Sequence, residues 1–148
     1  MSDGAEDLDI LIPKTLTIPV DGKDIVFREY GFYAGLKARS LGKSFIDDMA
    51  ELFNRGEEIS LSDTDALMGS HADAVVALIA LATGQTQQWL MALGEIDGQK
   101  VYNAWWEING PFFVRCAAQH LRSERIQKLV AGLMYGQHSS LTATMQTE

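Results

Sequence analysis

Cysteine is almost missing from this chain: Cys116 stands alone among 148 residues. No internal disulfide can form, and the framework is that of a reducing compartment. Histidine is nearly as scarce. His71, His120 and His138 lie far apart, and none falls in a ligand spacing such as His-Glu-x-x-His, so no metal and no cofactor is expected. Bases are in deficit, with 12 Lys and Arg against 20 Asp and Glu, a net charge of −8. That balance argues against nucleic-acid binding, which needs an excess of bases, and against docking on an anionic membrane. Long apolar runs are missing too. The longest, Ala74 to Ala82, is about half of what crosses a bilayer. The first twelve residues are acidic where a signal peptide would be basic. A soluble, cytoplasmic protein is expected. Its length suits one domain able to bury about 70% of its unfolded surface without a disulfide or metal.

What is present is patterned. Residues 1–14 read as a flexible acidic N-terminal tail. Thr15 to Val20 alternates polar and apolar, Asp21-Gly22 is a turn dipeptide, and Ile25 to Tyr30 is β-prone. This predicts a hairpin over 15–30, with the Pro19 strand at an edge and a helical surface beneath it. From residue 31 to 135 the period becomes helical. Phe32, Tyr33 and Leu36 start it, and Ser44 with Asp47 reads as a cap for a helix striped by Phe45, Met49, Leu52 and Phe53. Ser62 with Asp65 repeats the capping signal, and Asp73 to Thr83 is apolar all round, as a central buried helix is. Thr86 to Leu93 forms a short helix with Trp89, Leu90 and Leu93 inward. Asp97-Gly98 reads as a turn. Val101, Trp105, Ile108 and Phe112 share a face, and Asn109-Gly110-Pro111 interrupts it with a kink or a new helix start. Ile126, Leu129, Val130 and Leu133 make the last stripe, and 136–148 reads as a disordered C-terminal tail. The fold class is mainly α: a short N-terminal β-hairpin and a compact bundle of five or six helices forming a single globular domain over 15–135.

Catalytic constellations are thin. His71 and Asp73 are two residues apart, a spacing at which helical side chains do not face each other. Cys116 and His120 share a face and could pair as nucleophile and base, but the apolar neighbours favour a buried structural thiol. Asp47, Asp48, Glu51, Glu57 and Glu58 read as a solvated face, without the Gly-centred loop of a calcium site. No phosphate-binding glycine pattern occurs. No enzyme is expected.

Two features remain. Trp105-Trp106 points two rings about 100° apart, so Trp105 belongs to the core and Trp106 to a second helix or to a partner. Phe112-Phe113 repeats the doubled aromatic. The reading is either a helix buried between two others or an exposed aromatic patch for protein binding. Charge is also segregated. Asp47 to Asp73 holds eight acids against Arg55, and Arg115 to Lys128 holds four bases against Glu124. Solvated faces of complementary sign, head-to-tail self-association or capture of a charged partner helix would each account for it.

The stretch Leu61 to Met68, then Val75 to Gly84, then Trp89-Leu90 and Leu93, and the later run Ala104 to Phe113 with Asn109 and Phe112-Phe113, resemble tail assembly chaperones of long-tailed bacteriophages, the Mu-like group above all. The resemblance covers roughly residues 15–133 and rests on packing patterns. It implies a non-enzymatic protein that binds the tape measure protein during virion assembly, keeps it soluble and helps recruit tail tube subunits. It also implies a place in the host cell cytoplasm and absence from the mature virion. Many members of that family have a longer, frameshifted form, which a C-terminal tail would suit. Trp106, Phe113 and Trp89 are the residues expected to meet the partner. The alternative is a small helical adaptor or regulatory protein that binds one host or phage protein.

Overall fold

The computed structural model describes residues 14–146, with side chains to Gly136. The N-terminal tail expected over 1–14 therefore lies outside the described residues except for Lys14. Two antiparallel strands, β1 (Thr15–Val20) and β2 (Lys23–Arg28), pair from Thr15 with Arg28 to Val20 with Lys23. Both turn residues are left-handed, Asp21 at φ 50° and Gly22 at φ 77°. That turn matches the right-handed twist of the strands and is why Asp-Gly suits it. A two-stranded sheet has only edges, so Pro19 is tolerated. Val20, Ile25 and Phe27 are buried against the helices.

Six helices follow: α1 (Phe32–Leu41), α2 (Lys43–Asn54), α3 (Leu61–Ser70), α4 (Ala72–Thr83), α5 (Gln87–Met91) and α6 (Glu95–Gln146). The hairpin-plus-helices class is as the sequence indicates. The caps are not. Gly42, rather than Ser44, begins α2, because a side chain there would meet the Ala38 carbonyl and Leu78, each at 3.1 Å. The capping box of α3 is Ser60 with Asp63, two residues before the expected pair. Ser60 Oγ accepts the Asp63 N–H at 3.1 Å, and the Asp63 carboxylate accepts the Ser60 N–H at 3.0 Å. The Ser60 N–H bond, with a second donated by the Ser60 hydroxyl at 2.9 Å, holds the Asp63 carboxyl below its ordinary range. Asp97 and Gly98 lie within the first turns of α6.

The largest departure is α6. It runs 52 residues, about 78 Å at 1.5 Å per residue, through Asn109, Gly110 and Pro111 without a break. Pro111 and Glu107, whose carbonyl loses its helical donor, are both exposed, so water can replace the missing bond. Nor does the packed domain extend to 135. Burial on α6 ends at Leu121, and every residue from Arg122 to Gly136 is exposed. The stripe expected to close the core is in water: Ile126 is 62% exposed, Leu129 66% and Leu133 62%. The backbone of 136–146, expected as a tail, continues the helix. Helical periodicity is satisfied by any apolar partner, and here no described residue of the same chain supplies it.

The body is held by an aromatic core and a buried polar network. Phe27, Phe45, Trp105 and Phe113 are among its largest fully buried side chains. Asn109, also fully buried, accepts the Tyr30 N–H at 3.0 Å and donates from Nδ2 to the Arg28 carbonyl at 3.0 Å. The Trp105 indole donates to Tyr30 Oη at 3.0 Å, and Tyr30 Oη donates to the Leu78 carbonyl. The end of the hairpin, α4 and α6 thus meet in one hydrogen-bonded knot.

Burial pushes the Tyr30 phenol well above the usual tyrosine range, with the Trp105 bond opposing in part. Tyr102 is raised as well, by burial first and the Asp65 carboxylate second. Folding therefore holds protons that the unfolded chain releases near pH 10. The stability this confers is complete below about pH 10 and is lost as pH rises above it. Urea midpoints should fall steeply above about pH 10, and Tyr30→Phe should flatten that fall. An unchanged slope in the variant would contradict the assignment.

Candidate interaction surface

The three residues expected to meet a partner occupy three different environments. Phe113 is fully buried, with its ring edge-on to Phe45 at 5.5 Å and to Phe112 at 5.1 Å, and close to Trp105 at 5.4 Å. It cannot reach a partner without opening the core, so, contrary to expectation, it belongs to no binding patch. The cause is geometric. Phe113 lies seven residues beyond Trp106, about 20° away around α6, and eight beyond Trp105, about 80° away, so its ring fills the arc between the two indoles. Trp106 is half-buried and stacks nearly parallel to Phe113, at 6.3 Å and 9°. Gly110 makes room for it, since a Cβ there would lie 3.1 Å from the indole. Trp89 is half-buried on α5, with Lys23 Nζ 4.9 Å over its ring. Among the described aromatic contacts none joins Trp89 to Trp106. Both rest against the core, and neither forms part of one continuous exposed aromatic patch.

Trp105-Trp106 therefore follows the first of its two readings, a helix packed on several sides. The signal was available in the sequence. Apolar residues on α6 from Val101 to Ala117 cover too broad an arc for a helix packed on one neighbour only.

The polar candidates also rearrange. His71 faces Asp48 of α2, Nε2 to Oδ2 at 2.6 Å, and not Asp73. His120 lies between Asp47 at 3.4 Å and Glu124 at 3.2 Å, where it ties α6 to α2. Cys116 is buried. It lines a hollow of about 350 Å³ with His120, Asp47, Arg39 and Lys43. Among the described residues no three His, Cys, Asp or Glu side chains are grouped to hold a metal. No single described helix is long and apolar enough to cross a membrane.

Exposed apolar surface lies elsewhere, at the start of α1 on Phe32, Tyr33 and Leu36 and, in greater number, towards the end of α6. On α6 beyond Leu121, Ile126, Leu129, Val130 and Leu133 follow at i, i+3, i+4 and i+7, with Met134 and Tyr135 beside them. This stretch, residues 122–146, is called the arm below. Arg122 and Arg125 each precede Ile126 and Leu129 by four residues, one turn earlier on the same side. Across the body, α2 and α3 enclose a hollow of about 340 Å³ lined by Asp48, Glu51 and Asp63, with Leu52 and Leu67 between them. Arg55, 3.8 Å from Asp63, supplies its positive charge. The segregation of charge along the sequence becomes a basic arm and an acidic groove.

Fold and surface define a small helical body carrying one hairpin and a long, exposed amphipathic helix. The chain belongs to a family of unknown function, DUF6631, whose model matches residues 7–148. No curated protein and no solved structure matches it.

The two aromatic neighbours should separate in mutagenesis. Phe113→Ala should destabilise by about 3–5 kcal/mol, as large-to-small core changes do, and Trp106→Ala by under about 2 kcal/mol. Denaturant midpoints in the reverse order would contradict these placements.

Proposed function

We propose that this protein is a non-enzymatic tail assembly chaperone of a long-tailed, Mu-like bacteriophage. In this reading it acts in the host cell cytoplasm, binds the tape measure protein, keeps it soluble, helps recruit tail tube subunits and is absent from the virion. The observation that carries the reading is the exposed apolar stripe on the arm, Ile126 to Leu133. A tape measure protein is a long helical chain with apolar stripes that aggregate until the tube encloses them. An amphipathic helix that already presents its own stripe can cover such a surface by side-by-side packing. The net charge of −8 would keep the complex in solution. The resemblance of Leu61 to Met68 and of Ala104 to Phe113 supports the same assignment, and neither a metal, a cofactor, nucleic acid nor a membrane enters it. Partner contact moves from Phe113, which is buried, to the arm, while Trp106 and Trp89 stay half-buried on the body.

Co-expression with a phage tape measure protein tests this. Wild-type chain should raise the soluble yield of the tape measure protein several-fold and co-purify with it. Leu129→Glu with Leu133→Glu should remove both effects while thermal melts stay unchanged, since both side chains are exposed. Undiminished solubilisation by that variant would refute the arm as the binding element, and failure of the wild-type chain to bind would refute the chaperone reading.

A further inference from the structure

A helical arm whose residues 122–136 are all exposed is not expected to persist alone. Most helical stability in proteins comes from packing of the apolar face, and isolated helices are marginal in water. The arm also cannot cover itself. It continues α6 unbroken past the Asp47–His120 contact, so its course leads away from the body and not back into the groove between α2 and α3. What covers Ile126, Leu129 and Leu133 is not among the described residues of this chain.

We infer that it is a second copy of this chain, whose α2–α3 groove receives the arm while its own arm is received in return. Charge complementarity selects this occupant. The arm brings Arg122 and Arg125 in front of its apolar stripe, and the groove offers Asp48, Glu51 and Asp63 against one Arg55, with Asp48 already facing His71, around the half-buried Leu67. Pairing the two arms with each other satisfies the stripe but not the charges. Side by side in parallel they set Arg122, Arg125 and Lys128 against their own copies. In antiparallel they set them against the 136–146 stretch, which contains no acid. Reciprocal exchange also closes the assembly. Two equivalent contacts related by a two-fold axis leave no free arm and bury twice the area of a single arm–groove contact. The inference is independent of the chaperone reading, since it concerns the protein with no partner present. Where a partner uses the arm, it displaces the second copy.

Sedimentation of the full chain over a range of concentrations tests the exchange. The wild type should reach twice the 16.3 kDa of the single chain, and the dimer should weaken at least tenfold between 0.05 and 0.5 M salt. Leu129→Glu with Leu133→Glu should be monomeric. Arg125→Glu and Glu51→Lys should each weaken the dimer at least tenfold, and the two together in one chain should bind at least tenfold more tightly than either alone. All four positions are exposed, and melts of the diluted proteins check that each variant folds. A monomer at every concentration overturns the inference. So does a dimer that the arm variant leaves intact. A dimer that the arm variant abolishes but Glu51→Lys leaves untouched assigns the contact to paired arms and overturns the groove, as does a double variant no tighter than its parents.

Discussion

The fold turns on Asn109, a polar side chain with no access to solvent in the middle of the longest helix. A two-stranded hairpin is marginal by itself, and this one has no third strand. It is held because Asn109 uses both ends of its amide on the hairpin exit, the Tyr30 N–H and the Arg28 carbonyl. Removing that amide would bury two backbone groups without partners, at about 1–3 kcal/mol each. Tyr30 then carries the connection onward to Trp105 and to the Leu78 carbonyl of α4. Among the described residues no buried side-chain nitrogen or oxygen lacks a partner. A fully satisfied network of this kind fixes one arrangement of hairpin and helices where apolar packing alone would tolerate several.

The aromatic rings pack around that knot. Tyr30 meets Phe112 and Phe113 edge-on, at 5.3 and 5.9 Å, and Phe113 passes the contact to Phe45 of α2. Hairpin, α2 and α6 are thereby locked at one level of the helix. One consequence is directional. Everything that orders α6 lies between Val101 and Leu121, and the helix simply continues beyond it. Body and arm therefore have different physical status within one element, the first fixed by its contacts and the second offering its apolar stripe to another molecule.

Much of the body was legible from residue order alone. Asp21-Gly22 between alternating runs specifies the hairpin, and the dense apolar run of α4 specifies a helix with buried Val75, Leu78, Ile79 and Ala82. Three features were not. Ser62-Asp65 and Ser60-Asp63 share the same capping chemistry, and local sequence does not choose between registers two residues apart. Asn109-Gly110-Pro111 carries every mark of a helix break, yet Asn109 is retained by distant hydrogen bonds and Gly110 by the Trp106 ring. The stripe at Ile126 to Leu133 has the period of a core helix because packing against another molecule imposes the same spacing as packing within one. Of the expected contact residues, Trp106 and Trp89 are partly accessible, and Phe113 is not. Doubled aromatics report crowding around a helix and leave open which ring faces out.

Hydrogen exchange along α6, measured by mass spectrometry on dilute protein without partners, tests the division between body and arm most directly. Amides from Val101 to Leu121 should exchange only through global unfolding, together with those of Ile25, Phe27 and Tyr30. Amides beyond Arg122 should exchange orders of magnitude faster, with a boundary within about a turn of Leu121. Equal protection on both sides of Leu121 in a monomeric sample would contradict the account, because it would mean that the helix is stabilised past its last contact with the body.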